Sequence, residues 1–262
     1  MHRRQGAPLI PWPNRLADGR YTFDGELLQS PLTEPAKQNA IHGLVRWMNW
    51  QALRHDDRSV VMGLRLHPQP GYPFTLDLTI EFWLASEGLT VRTTARNVGS
   101  RALPYGAGHH PYLTVGTERI DSAFVRIPAH CILEVDQRQI PTGRVIPVEG
   151  TEYDFRVLRR IGGTRLDTAY GDLIQDPDGR TRIEMANPDR TRQVRLWMDS
   201  AYQYVMIFTG DAVGEVARRR RGLGIEPMTC APNAFQSGTG LRILNPGDAL
   251  MSAWGISTSS GG

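Results

Sequence analysis

Residues Tyr72 to Phe82 read YPFTLDLTIEF. The even positions (Tyr72, Phe74, Leu76, Leu78, Ile80, Phe82) are all large and apolar. The odd positions between them are Pro73, Thr75, Asp77, Thr79 and Glu81. A period of two puts every apolar side chain on one face of an extended strand and every polar one on the other. The run stops at Ser86–Gly88. The stretch LTVRTTARNV, Leu89 to Val98, then resumes with β-branched residues, so the pair reads as a β-hairpin with one dry face.

The same signature recurs along the chain. YTF ends at the turn Asp24-Gly25, and RTRIEMA (Arg180–Ala186) follows the turn Asp178-Gly179. RQVRLWMD (Arg192–Asp199), YQYVMIF (Tyr202–Phe208) and ALMSAWGIST (Ala249–Thr258) complete the set. Turn residues return about every eight to twelve residues, and the 262-residue chain holds 27 glycines and 18 prolines. Helix is expected at most as single turns near Arg156–Ile161. No linker, repeat or low-complexity block divides the sequence. The expectation is one all-β domain over residues 1–262, a sandwich of large antiparallel sheets.

Composition narrows the function classes. The net charge is +3, from 30 basic and 27 acidic residues, and the bases are scattered apart from ARRRRG at Ala217–Gly222. That is not the concentrated patch of a nucleic-acid binder. No apolar run is long enough to span a membrane. The opening MHRRQGAPLIPW is too short in its apolar part for a signal peptide, so a cytoplasmic location is expected. The closing STSSGG reads as a frayed tail. Cys131 and Cys230 lack metal-type or redox-type spacing.

Five polar residues sit in unusual surroundings. Arg15, in PWPNRLADG, either reaches into a cleft with its rigid fork or starts a surface strand. His42, in NAIHGLVRW, is next to a glycine that lets backbone approach a ligand, or it is a core histidine bonded to a carbonyl. In GHHPY (Gly108–Tyr112), strand alternation lets at most one of His109 and His110 face a given cleft, which disfavours metal binding by both. Asp167, in TRLDTAYG, either caps a short turn or accepts hydrogen bonds from hydroxyls. Glu226, in GLGIEPMTCAPNAF, lies inside an apolar run, either as a general base or as one half of a structural ion pair. Burying a carboxylate without partners is costly and favours its protonated form, the direction a general base at neutral pH needs. A carboxylate and histidines with no nucleophile elbow, no P-loop and no zinc spacing suggest acid–base chemistry without covalent or metal steps.

Taken in order, these motifs resemble the aldose 1-epimerase (galactose mutarotase) family. NRLADGRYTFDG is similar to its N-R-[IL]-x-x-G-x-[YF]-x-[FL]-x-G, IHG to L-H-G, HHPYL to H-x-Y-F, and LDTAY to D-x-x-[FY]. GLGIEPMTCAPNAF is similar to E-P-M-x-x-x-P-[ND]-A, and LNPGDAL to the closing L-x-P-G-E. The resemblance covers about residues 7 to 258. It implies a supersandwich with a sugar cleft on a concave face, and a cofactor-independent, metal-free isomerase of aldohexoses. It assigns Glu226 as base and His110 as acid, with His42 on the ring oxygen or a neighbouring hydroxyl, and Arg15 and Asp167 on the remaining hydroxyls. His109 then points to the core. The family ordinarily has further strands before the Asn-Arg motif, whereas thirteen residues precede Asn14 here, so N-terminal strands are expected to be missing. ARRRRG reads either as a clamp for a hexose 6-phosphate or as a solvated loop. A catalytically silent sugar-binding protein is the third reading. Neither the physiological sugar nor the oligomeric state follows from the sequence.

Overall fold

A computed structural model describes residues 6–260 of the chain. The basic opening, residues 1–5, and the last two glycines of the expected tail lie outside the described residues.

The fold is built almost entirely of antiparallel strands in two large sheets. The nine-stranded sheet runs in the order Arg159–Arg160, Phe124–Arg126, Thr181–Ala186, Arg192–Met198, Ala249–Ser260, Gly88–Asn97, Leu76–Ala85, Ser59–Leu66, Gln51–His55. The six-stranded sheet runs Tyr112–Leu113, Leu223–Met228, Tyr204–Phe208, Asp167–Leu173, Ala129–Val135, Pro141–Pro147. The hairpin read from the sequence forms as expected, with Leu76 opposite Asn97 and Ala85 opposite Gly88.

Two sequence expectations need correcting. The single helical turns are not near Arg156–Ile161, where the chain is bend and then a two-residue strand. They are 3-10 turns at Pro35–Lys37, Val45–Trp47, Ile120–Ser122 and Val216–Arg218, with one α-turn at Ala234–Ser237. The tail is not frayed as far as Ser260: Arg192 to Met198 pair residue by residue with Ser260 to Trp254, so ladder hydrogen bonds outweigh the low β-propensity of Ser and Gly.

The period-two stripe of the opening segment joins two hydrophobic clusters. Ile80 and Val91 sit between the sheets with Leu196, Met198, Trp254, Tyr170, Val205, Ile207, Leu223 and Ile225. Tyr72, Phe74, Leu76, Leu78 and Ala95 belong to a second cluster. There they pack on Ile10, Trp12, Leu16, Tyr21 and Val45 of the N-terminal segment and on Phe235. One amphipathic hairpin therefore holds the N-terminal segment and the sandwich to a common surface. Burying each such side chain contributes about 1.5–3 kcal/mol.

The same alternation gives the six-stranded sheet two distinct faces. Val205, Ile207, Leu223 and Ile225 point into the inter-sheet core. Ala169, Met206 and Met228 form a separate small cluster on the opposite face, and Glu226, paired with Met206, lies on that face too. The N-terminal segment runs beside it: Leu9 N–H donates to Gly108 O and His110 N–H to Ala7 O. No helix among the described residues is long and apolar enough to cross a membrane.

Leu78 is fully buried, whereas its neighbour Thr79 faces outward. Leu78→Ala is therefore expected to cost about 2–5 kcal/mol and Thr79→Ala less than about 1 kcal/mol, read by urea denaturation.

Candidate active site

The site is assembled from four places, one of them the start of the strand Asp167–Leu173. The strand Leu223–Met228 supplies Glu226, the stretch before Tyr112 supplies His110, and the N-terminal segment supplies Arg15 and His42.

His110 and Tyr112 lie on the same face of the sheet as Glu226, because Tyr112 pairs with Gly224 and side chains alternate along a strand. The Tyr112 ring stacks nearly parallel on the His110 ring, with centroids 5.0 Å apart and an interplanar angle of 11°. His110 Nε2 is 3.2 Å from Glu226 Oε1, within hydrogen-bonding distance, and both side chains are buried. His109 points the other way. Its Nε2 is 2.9 Å from Thr93 Oγ1, its ring lies 5.3 Å from that of Trp254, and burial pulls its pKa down to about 3. It therefore stays neutral at physiological pH and belongs to the core.

His42 approaches from the N-terminal segment, its ring 5.3 Å from that of His110. Asn14 and His42 both adopt left-handed backbone conformations, φ 55° and 65°, and hold each other there. His42 N–H donates to Asn14 O, and Asn14 N–H donates to His42 Nδ1 at 3.2 Å. Since Nδ1 accepts a bond, the imidazole proton sits on Nε2, which makes that nitrogen a donor. Gly43 follows at φ 62°, where a Cβ would come within 2.0 Å of Ile10 O. Only glycine lets the chain turn this close to Ile10.

Arg15 is buried rather than a surface arginine. Its Nε donates to Glu34 Oε2 at 2.8 Å and its Nη2 to Glu34 Oε1 at 3.2 Å; Nη2 is also 3.8 Å from Asp167 Oδ2. Burial, the largest influence, lowers the guanidinium pKa. The Glu34 hydrogen bond and the charges of Asp167, Glu34 and Glu226 outweigh it and raise the pKa above its ordinary value. Glu34 in turn stays below the usual carboxylate range: burial pushes it up, and the Arg15 bond and charge pull it further down. Asp167 opens the strand Asp167–Leu173, so it does not cap a turn.

The structure thus brings all five sequence-derived residues to one region. Glu226 and His110 are in direct contact, so a sugar oxygen inserted between them requires the side chains to part. One feature escaped the sequence reading. Glu34, the main partner of Arg15, was not legible. It sits in an ordinary-looking LTEPAK stretch, and only tertiary approach puts it against Arg15.

His42, His110 and Glu226 bring three donor atoms within 4.8 Å of one another. A metal-bound imidazole ordinarily donates its second N–H to an acceptor. His42 instead accepts a backbone N–H at Nδ1, so the cluster is shaped for hydrogen bonding to a polar molecule. Both cysteines are free, and burial keeps their thiols protonated: Cys131 lies above its ordinary range and Cys230 is pushed up to about 12.

The fold and this constellation define a galactose mutarotase-like protein. The aldose 1-epimerase family model matches residues 2–256, and the chain belongs to that family. It is 34% identical over 243 residues to the uncharacterized protein YihR of Escherichia coli (strain K12), covering 92% of this chain and 75% of that one. It is 33% identical over 159 residues to the galactose mutarotase of Rattus norvegicus, spanning 57% of this chain and 44% of that one. Among solved structures, a GalM/aldose epimerase homologue from C. elegans superposes with a TM-score of 0.88 at 18% identity, covering 100% of this chain and 84% of that one. The galactose 1-epimerase of Lactobacillus acidophilus gives 0.80 at 19% identity, covering 100% and 82%.

His109→Asn loses the Thr93 bond and the contact with Trp254, and is expected to destabilise the fold by about 1–3 kcal/mol in thermal or urea unfolding.

Proposed function

We propose that this chain is a mutarotase that interconverts the α and β anomers of a free aldohexose by general acid–base catalysis. The observation that carries the reading is the buried His110–Glu226 contact at 3.2 Å, with Arg15 and His42 beside it.

Glu226 removes the proton from the C1 hydroxyl while His110 gives a proton to the ring oxygen. The C1–O5 bond breaks and leaves an open-chain aldehyde. Rotation about C1–C2 presents the other carbonyl face. Reclosure then returns both protons: His110 takes one from the attacking hydroxyl, and Glu226 gives one to the new C1 hydroxyl. Each protein group ends as it began, and the scheme calls for no cofactor or metal. His42 Nε2–H donates to the ring oxygen or a neighbouring hydroxyl. Arg15 and Asp167 bind the remaining hydroxyls, and Arg15 keeps its charge through the pairing with Glu34. Each positioned proton transfer is worth about 10²–10⁴ in rate.

Two of the four arginines of the run are engaged within the protein itself, which favours a free sugar over a sugar phosphate. Arg220 is buried, with bonds to Asp121, Asp211, Thr164 O and Gly162 O, and Arg219 donates to Val213 O. Those guanidinium groups tie loops together and are not available to clamp a phosphate.

Polarimetry on freshly dissolved α-glucose and α-galactose tests the reading. The chain is expected to accelerate mutarotation, and Glu226→Gln and His110→Asn each to lower kcat by at least about 10². Sugar binding without acceleration would indicate a silent binding protein, and full activity in Glu226→Gln would refute the assigned base.

A further inference from the structure

We propose that Arg138, at the tip of a distant hairpin, is a positioning residue that sets sugar affinity through Arg15. The inference rests on the reading of Arg15 and Asp167 as sugar-binding residues.

Arg138 lies between the strands Ala129–Val135 and Pro141–Pro147 of the six-stranded sheet. Asp136 makes this tip rigid: its Oδ1 accepts Arg138 N–H at 2.8 Å and Ile140 N–H at 2.9 Å. From there the Arg138 side chain reaches the N-terminal segment. Nε donates to Lys37 O at 3.0 Å, and Nη2 donates to Gln38 O and to Asp18 Oδ1, each at 2.8 Å. The surface ion pair with Asp18 alone would be worth little. The two carbonyl acceptors give the contact its geometry.

The clamp closes on fully buried Asn39. Asn39 Nδ2 donates to Arg138 O at 2.9 Å and to Glu34 Oε2 at 3.3 Å, and Glu34 N–H donates to Asn39 O. Glu34 Oε2 is also the oxygen that receives Arg15 Nε. The path therefore runs from Arg138 through Asn39 and Glu34 to Arg15, and from Arg15 to Asp167 at 3.8 Å. Asp167 begins the strand that pairs with the strand of the Arg138 hairpin. The circuit is closed. Its links fix where Arg15 sits relative to Asp167, although the sequence separates the two arginines widely. Sub-ångström placement of binding groups controls how well hydroxyls are met. Loosening the clamp should weaken sugar binding more than it slows the proton transfers, because His110 and Glu226 are carried by other segments of the chain.

Calorimetric sugar binding and steady-state polarimetry with glucose and galactose test this on the intact chain. Arg138→Met keeps the stem and removes the donors; it should raise Kd and KM about 5- to 30-fold with kcat within about twofold. Arg138→Lys, which retains charge but not the fork, should recover part of the affinity. Asp18→Arg sets a like charge against the Arg138 fork and loosens the clamp from its other side; it should raise KM in the same direction, and it serves should Arg138→Met fail to fold. Unchanged Kd and KM in Arg138→Met, or in Asp18→Arg if it stands alone, would overturn the proposal. So would a fall in kcat that tracks a lowered Tm with KM unchanged. If the unsubstituted chain binds neither hexose, the sugar-binding reading itself fails. If it binds and Arg138→Met binds equally tightly, only the clamp fails.

Discussion

Successive residues of an extended strand point to opposite faces of the sheet, and at Gly108–Tyr112 this rule separates two adjacent histidines by environment. His109 enters the inter-sheet core, where burial keeps it neutral and Thr93 holds its ring. His110, one residue on, emerges on the other face beside Glu226 and under Tyr112. The same constraint places Ile225 in the core and Glu226 outside it. The proposed chemistry therefore depends on the sheet keeping its register. A slip of one residue would exchange a core histidine for the candidate acid and drive a carboxylate into the hydrophobic layer.

The second requirement is a buried positive charge that stays charged. Arg15 loses solvation in the interior, and two carboxylates compensate for it: Glu34 in the N-terminal segment and Asp167 on the sheet. A buried ion pair adds little net stability once desolvation is counted. Its value here is positional, since it fixes a rigid donor fork next to the His110–Glu226 pair. The left-handed Asn14–His42 contact plays the same part for the imidazole, using backbone geometry in place of charge.

Much of this was legible in the sequence because the signals are local. The even-odd stripe of Tyr72–Phe82 gave the hairpin and its dry face, and Glu226 stood out as a carboxylate inside an apolar run. The resemblance to the aldose 1-epimerases supplied the register that selects His110 over His109. Other features escaped for physical reasons. Glu34 meets Arg15 across 19 residues through a fold-dependent approach. Arg138 meets the N-terminal segment across 101 residues at Lys37, and neither residue lies in a periodic pattern. The short helical turns were misplaced because three- or four-residue turns are fixed by packing more than by propensity. Ser257–Ser260 looked disordered by composition, yet edge-to-edge pairing with Arg192–Arg195 orders their backbone.

A structure of the chain with a bound hexose tests the central claim most directly. The account predicts the C1 hydroxyl within about 3.2 Å of a Glu226 carboxylate oxygen and the ring oxygen within about the same distance of His110 Nε2, the two side chains having parted to admit the sugar edge. A hexose bound with C1 and its ring oxygen remote from both groups, or seated on His109, would contradict it.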